Sequence, residues 1–349
     1  MATAPATKVT TKRILERRRV SAAVRHLRPA AQTGFLLLNA WLGIQFWFFV
    51  RQFEVAGSRY DVSRPAGVEG WLPIAGLMNL KAFLLTGKIA ENHPATMFLL
   101  AAFVAMSLLL RKAFCSWLCP VGTLSEWLWK AGRNIFGRNF TIPKWTDIPL
   151  RSLKYILLGL FAYVVVTMSV DGIRAFLDSP YGLIADVKML NFFGQMGITS
   201  AVVLGVLALA SVFVQNFWCR YLCPYGALMG LASVFSPLRI RRNAGVCIDC
   251  AKCAKACPSH LPVDTLVQIR SAECLGCMEC VNICPAEGAL DMKAFGRRRV
   301  PSWAVAAGVA VLFFGVVGYA KVSGHWDSNI SNALYEKLIP NASEFEHPK

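Results

Sequence analysis

Acidic residues are scarce in this chain: 20 Asp and Glu stand against 37 Lys and Arg, and charged residues of both signs reach only 16%. That is too little charge to cover the surface of a wholly soluble protein of 349 residues. Histidines number only five, and no C-x-x-C-H occurs, which argues against haem. The sequence also lacks a Gly-rich phosphate loop, a dinucleotide fingerprint and a Ser/His/Asp arrangement, so NAD, FAD and ATP have no evident home and no catalytic residue is assigned. All twelve cysteines fall within four motifs, leaving none for disulfides. Every Cys-bearing segment is therefore expected in a reducing compartment.

Apolar residues are abundant instead, at 55%, with a mean hydropathy of +0.46. Runs at 31–50, 94–110, 153–170, 196–214 and 300–320 have roughly the length that crosses a hydrocarbon core of about 30 Å. Residues 71–89 and 171–195 are apolar but interrupted by Pro, Lys and Gly, and read as interfacial or re-entrant segments. The expected fold class is mainly α: a polytopic helical membrane bundle of about five transmembrane helices, internally duplicated, with a small α+β ferredoxin domain.

That domain is announced by two runs, C-I-D-C-A-K-C-A-K-A-C-P from Cys247 and C-L-G-C-M-E-C-V-N-I-C-P from Cys274. Both match C-x2-C-x2-C-x3-C-P, the bacterial spacing for [4Fe–4S] clusters. Three thiolates in one tight loop cap three corners of a cube, and the fourth corner is served by the last Cys of the opposite motif. The expected sets are Cys247, Cys250, Cys253 and Cys284 for one cluster, and Cys274, Cys277, Cys280 and Cys257 for the other. Zinc would need only four thiolates per ion and no third Cys in each loop.

A second pair of motifs, F-C-S-W-L-C-P-V-G and W-C-R-Y-L-C-P-Y-G, carries Cys115, Cys119, Cys219 and Cys223. An offset of 104 relates Cys115 to Cys219, Cys119 to Cys223 and Gly122 to Gly226. Each half runs span, interrupted segment, span, then C-x3-C-P-x-G, a parallel duplication with a pseudo-two-fold along the membrane normal. Spacing i, i+4 puts each pair on one helix face. The four thiols could converge on a third metal or redox site near the membrane surface. Small buried apolar packing and a reactive dithiol are the competing readings, and spacing does not separate them.

Basic residues report topology. Segments 1–30, 111–154 and 215–299 carry 27 Lys and Arg, against 10 in the alternate segments. The positive-inside rule then places the N-terminus, both C-x3-C-P motifs and the ferredoxin domain in the cytoplasm, with the C-terminal tail periplasmic, in a bacterial inner membrane. The +17 charge thus marks lipid and topology, with no nucleic acid implied. His93, at the outer start of a span, reads as solvated, with a proton-accepting role toward a quinol as the rival. Lys81 and Lys188 read as snorkelling cations, and Trp71, Trp117, Trp127, Trp129, Trp145 and Trp218 as an aromatic belt. The expected division is a basic tail at 1–30, membrane repeats at 31–130 and 131–236, the ferredoxin domain at 237–295, a fifth helix at 296–320 and the tail at 321–349.

These motifs, in this order, resemble the membrane-bound polyferredoxins of the NapH type, an architecture that recurs in NosR and MauN. The resemblance spans residues 34–293 and is specific for the superfamily more than for a member. It implies two [4Fe–4S] clusters on the cytoplasmic side, with electron transfer between the quinol pool and a periplasmic or membrane redox partner, as in a quinol dehydrogenase component. The chain lacks the large N-terminal flavin-binding region of NosR and adds a fifth span and an outside tail. Two alternatives come from other classes: a CcoG-like maturation factor that reduces a metal or cofactor for an oxidase or reductase, and a redox sensor without turnover.

Overall fold

The computed structural model describes residues 22–55 and 61–347. The basic tail expected at 1–30 lies mostly outside them. The membrane part comprises α1 (Ala22–Glu54), a 3₁₀ turn (Ala66–Trp71), α2 (Pro73–Thr86), α3 (Pro94–Leu110), α4 (Ala113–Trp117), α5 (Pro120–Phe136), α6 (Lys144–Thr167), α7 (Val170–Leu177), α8 (Pro180–Leu183), α9 (Ala185–Gly194), α10 (Ile198–Phe213), a π turn (Trp218–Leu222) and α11 (Pro224–Val234). The ferredoxin part follows with β1 (Leu238–Arg242), α12 (Lys252–Lys255), α13 (Glu279–Asn282), β2 (Leu290–Ala294) and β3 (Arg298–Arg299). α14 (Ser302–Val322) and α15 (Asn332–Leu338) close the chain.

The protein is mainly helical, and among the described residues three helices, α1, α6 and α14, are long and apolar enough to cross a membrane. α9 and α10 make a fourth crossing only if taken together, and they are bent by 82°. The remaining expected span, α3, is shorter at 17 residues. Its all-round apolar surface is explained by its position: Leu99, Leu100, Ala102, Phe103 and Met106 are buried at the centre of the bundle. The three long helices leave most of their apolar surface exposed, and α3 packs against protein.

Packing between the halves is crossed. α5, which follows the first C-x3-C-P motif, packs on α10 of the second half, and α11, which follows the second motif, packs on α3 of the first. Gly132 makes the first contact possible: a Cβ there would stand 2.0 Å from the Val212 carbonyl oxygen. Ser107 on α3 donates to Met229 Sδ on α11 at 3.1 Å.

The ferredoxin part is framed by an antiparallel sheet in the order β1-β2-β3, with Ile240 opposite Met292. Both side chains are buried and belong to the core that continues into α3 and α4. At the other end of the bundle the C-terminal tail is ordered. Tyr335, Leu338 and Ile339 pack on Phe46, Phe49 and Val50 of α1.

Several sequence expectations change here. Trp117 and Trp129 are buried at 1% and 5% exposure and do not belong to an interfacial belt. Lys81 does not snorkel: its ammonium donates to the Val165, Val166 and Met168 carbonyls at the C-terminal end of α6, where the helix dipole favours a cation. Lys188 likewise donates to the Phe345 carbonyl at 2.7 Å.

Candidate metal centres

A duplicated local design brings the C-x3-C-P thiols together. Cys119 is the N-cap of α5 and Cys223 the N-cap of α11. Pro120 and Pro224 occupy the first helical position, where a missing N–H costs nothing. The free N–H groups behind them turn onto sulfur. Gly226 N–H donates to Cys223 Sγ at 3.2 Å, whereas Cys119 has no such cap bond and the neighbouring Val121 and Gly122 N–H groups only offset part of the effect of burial on its thiol. Gly122 is there because a Cβ would lie 2.5 Å from the Cys115 carbonyl oxygen.

All four thiols, Cys115, Cys119, Cys219 and Cys223, line the inner end of one cavity of about 820 Å³. Apolar side chains such as Leu42, Phe103, Phe114 and Phe313 form much of its wall. On α1 the lining runs from Arg28 to Gln45, roughly 25 Å at 1.5 Å per residue, most of a hydrocarbon thickness. Burial pushes the Cys115 thiol up to about 11 and raises Cys119, Cys219 and Cys223 as well. Any metal held here must therefore displace protons.

Charged side chains are buried around the same end. Arg28 makes a bidentate pair with Glu126 on α5 and reaches Glu279 of the ferredoxin part at 2.7 Å. Lys154 on α6 holds both Glu273 carboxylate oxygens at 2.7 Å, and Tyr155 donates to the same group at 3.1 Å. Burial would raise the Glu273 pKa, but the Lys112 and Lys154 charges and these hydrogen bonds hold it below the usual carboxylate range. Lys112 is only 3% exposed and lines the cavity.

The eight ferredoxin cysteines separate into two sets. Cys247, Cys250, Cys253 and Cys284 line one small cavity, and Cys257, Cys274, Cys277 and Cys280 line another. In each, the fourth Cys comes from the opposite motif. Among the described residues no three of His, Cys, Asp and Glu crowd onto a point that a single ion could fill. Four sulfurs spread around an enclosed space fit a sulfur-bridged cluster better than a lone zinc ion.

The second ferredoxin loop docks directly on the first C-x3-C-P motif. Ser116 Oγ donates to the Leu275 carbonyl at 2.7 Å and Trp117 Nε1 to the Gly276 carbonyl at 3.4 Å. Gly276 adopts φ 64, and a Cβ there would stand 3.2 Å from the Leu110 carbonyl oxygen. Pro258, Ser259 and Leu275 line both the second cluster cavity and the long cavity. The two sites are therefore neighbours.

At the outer end of the long cavity, Arg64 pairs with Glu69 at 2.8 Å and with Asp186 at 2.7 Å, all three side chains buried. His93 is fully buried beside them, not solvated. Its Nδ1 lies 3.2 Å from Glu69 and 3.1 Å from Arg64, and its Nε2 faces the Gly182 and Leu183 carbonyls. Burial alone would depress its pKa, but the Glu69 hydrogen bond and charge raise it.

Sequence reading counted Arg28, Lys112, Lys154 and Glu273 only as charges. The one available signal was position: Lys112 lies three residues before Cys115, and Glu273 immediately precedes Cys274.

Comparison with known proteins covers both motif pairs. A profile described as a 4Fe-4S binding domain matches residues 92–143 and 196–243, and one described as a 4Fe-4S dicluster domain matches residues 239–285. The putative electron transport protein YccM of Escherichia coli K12 is 50% identical over 329 residues, covering 92% of this chain and 91% of YccM. The regulatory protein NosR of Pseudomonas aeruginosa is 33% identical over 46% of this chain and 22% of its own length. The methylamine utilization ferredoxin-type protein MauN of Paracoccus denitrificans is 27% identical over 68% of this chain and 83% of its own. No solved structure matches.

Proposed function

The chain belongs to the family of membrane-bound, ferredoxin-type iron–sulfur proteins that includes YccM, NapH, NosR and MauN, and from that premise we propose that it carries electrons between the quinol pool and a periplasmic or membrane redox partner. It is a multi-pass iron–sulfur electron-transport protein. In the proposed arrangement Cys247, Cys250, Cys253 and Cys284 ligate one [4Fe–4S] cluster, and Cys257, Cys274, Cys277 and Cys280 a second. Each cluster, when bound, takes up or releases one electron at a time. The membrane is the bacterial inner membrane, with the ferredoxin part on the basic, cytoplasmic side and α15 on the periplasmic side.

The observation that carries the reading is the long cavity. It is apolar along its walls, polar at both ends, and within the volume range of small-molecule sites. Its inner end shares Pro258, Ser259 and Leu275 with the wall of the second cluster cavity. An aromatic quinol lying there would be shielded from water by Phe103, Phe114 and Phe313 and would stand next to the cysteine-lined sites. Ser116 and Trp117 fix the second ferredoxin loop against this end, and the Arg28–Glu126–Glu279 network ties it to α1 and α5.

The test is anaerobic addition of a reduced menaquinol analogue to the protein in liposomes, followed by EPR of the reduced clusters. The expected result is cluster reduction by quinol in the wild type. In Phe103→Trp, which fills the cavity, quinol should no longer reduce the clusters while dithionite still does. Clusters that respond to dithionite but never to quinol, or a filled variant that quinol reduces at the wild-type rate, would overturn the proposal.

A further inference from the structure

Arginines gather away from the cysteine-lined sites, at the seam where α3 and α11 end against β1. Arg111 follows α3, Arg239 and Arg241 lie on β1, and Arg270 stands shortly before the second ferredoxin motif. Arg111 Nη1 donates to the Ser233 carbonyl at 3.2 Å and Nη2 to the Ser271 carbonyl at 2.9 Å, next in the chain to Arg270. Arg239 Nη2 donates to the Val234 carbonyl at 3.1 Å. The Arg241 guanidinium lies against the β2–β3 turn, where a Cβ on Gly296 would stand 2.7 Å from Nη2.

The last carbonyls of α11 account for part of this clustering, since a helix C-terminus carries roughly half a negative charge. Several guanidinium groups exceed that. Asp291 lies opposite Arg241 on the ladder and is bonded by Arg299 at 3.1 Å. Among the described residues no carboxylate stands within ion-pair distance of Arg111, Arg239 or Arg270. Slight burial and then the charges of Arg111, Arg270 and Arg241 lower the Arg239 pKa, so every charge that shifts it is positive. Arg111 is fully buried, and its Nε has no hydrogen-bond partner. A buried cation is costly unless a negative group joins it.

Apolar side chains flank the same seam. Phe235, directly after α11, is 79% exposed, and Phe295, in the β2–β3 turn, is 83% exposed. Phe295 N–H donates to the Pro237 carbonyl at 3.1 Å, which brings the two segments side by side. Leu231 and Val234 extend the exposed apolar strip back along α11. Aromatic rings beside guanidinium groups suit the boundary between acyl chains and headgroups better than open water.

We propose that this seam binds an anionic phospholipid, its phosphate on Arg239 and Arg270 with the buried Arg111 behind them, and its acyl chains along Phe235 and Phe295. A soluble phosphate would match the charge but leave both rings in water. Anionic lipid is concentrated in the cytoplasmic leaflet, where basic pockets at helix ends suit such headgroups. The proposal uses the membrane placement of the chain and is independent of the quinol reading. Because the seam joins the end of α3 to β1 and to the loop before Cys274, a bound lipid fastens the ferredoxin part to the membrane surface.

The test titrates the full chain, purified in detergent with its native metal content, with dioleoylphosphatidylglycerol and separately with dioleoylphosphatidylcholine. Bound lipid is counted by native mass spectrometry. The expected result is one phosphatidylglycerol held in preference to phosphatidylcholine. Its affinity should fall about thirtyfold in Arg239→Gln/Arg270→Gln, about fivefold for each arginine. The basic N-terminal tail is present in both proteins, so the difference belongs to the seam. Equal uptake of the two lipids by the wild type, or undiminished phosphatidylglycerol binding in the variant, overturns the proposal. Inorganic phosphate that displaces phosphatidylglycerol at equal concentration would identify a free-phosphate site and overturn it too.

Phe235→Ser/Phe295→Ser keeps every arginine and does not depend on the folding of the charge variant. It should weaken phosphatidylglycerol binding at least about tenfold. Unchanged affinity would leave an anion site without acyl chains, and the lipid would be excluded. Quinol reduction of the clusters, read on the same samples, should persist in both variants, so failure here is distinct from failure of the function proposed above.

Discussion

The two C-x3-C-P motifs began as copies and now hold different parts of the molecule. The residues between the cysteines show it. In the first motif, Ser116 and Trp117 donate to the carbonyls of Leu275 and Gly276, within the second ferredoxin loop. In the second, Arg220 makes a bidentate pair with Asp147 of α6 at 2.9 Å for both bonds, and Tyr221 donates to the same carboxylate at 2.6 Å. The backbone has diverged too: a turn of α-helix carries the first motif and a π turn the second. The cysteines, the following proline and the glycine keep their places in both. A duplicated unit has thus kept its cysteines, proline and glycine and specialised the buried residues between the cysteines, which dock on different neighbours.

The largest way to break the comparison is at Asp147. Asp147→Ala strands the buried Arg220 guanidinium and should cost about 3–5 kcal/mol, read as a lower unfolding midpoint in detergent. Nothing comparable is expected at the first motif, where the Ser116 and Trp117 side chains donate only to neutral carbonyls. Equal losses on removing either motif's side-chain contacts would show that the specialisation is energetically empty.

The glycines give a sharper asymmetry. Gly122→Ala must push a methyl against the Cys115 carbonyl, and should cost about 1–3 kcal/mol. At Gly226 the corresponding oxygen, that of Cys219, is 3.5 Å away, an ordinary contact, so Gly226→Ala should be nearly neutral. Parallel unfolding curves for the two variants decide it, and equal costs would contradict the difference between the two turns.

A smaller effect tests what the first motif has gained. Ser116→Ala removes one hydrogen bond to the ferredoxin loop, worth about 1 kcal/mol. Its signature is local: the signal of the cluster proposed for Cys257, Cys274, Cys277 and Cys280 should broaden or be lost more readily, with the other ferredoxin signal unchanged. Broadening of both would mean that the contact steadies the whole domain.

The smallest effect is absent at neutral pH. Glu273 has a depressed pKa in the folded protein, so its pairing contributes stability above the carboxyl's unfolded value, and that contribution disappears as pH falls through the lower folded value. The docked loop should therefore loosen only in acid. In Glu273→Gln that part of the acid decline should be missing from a pH series of cluster retention. An identical acid limb would assign it to other carboxylates.

Much of this was legible from residue order. The spacing of the eight ferredoxin cysteines anticipated which four would share each cavity, because a cluster needs its ligands at short, regular intervals. The helical runs were readable because lipid-facing and centrally buried helices are both apolar. That same fact hid the distinction between α3, buried in protein, and the long helices whose apolar surface is exposed. His93 and Trp117 were misplaced for a related reason. A polar or amphipathic residue at a helix end looks interfacial, and only its neighbours reveal that Glu69 and Arg64 accompany the first, and Gly276 the second.

Residue order alone determined the composition of a membrane protein, the duplication at an offset of 104, and the cysteine spacing that belongs to iron–sulfur ligation. It did so because each of these is a local or periodic property of the chain. That the four duplicated thiols face one cavity was decided by tertiary structure, through α5 packing on the second half and α11 on the first. The same packing left Lys112 buried beside those thiols, with its charge acting on Glu273. No short-range pattern encodes that crossing, since it depends on how closely Gly132 lets α5 approach Val212, eighty residues along the chain.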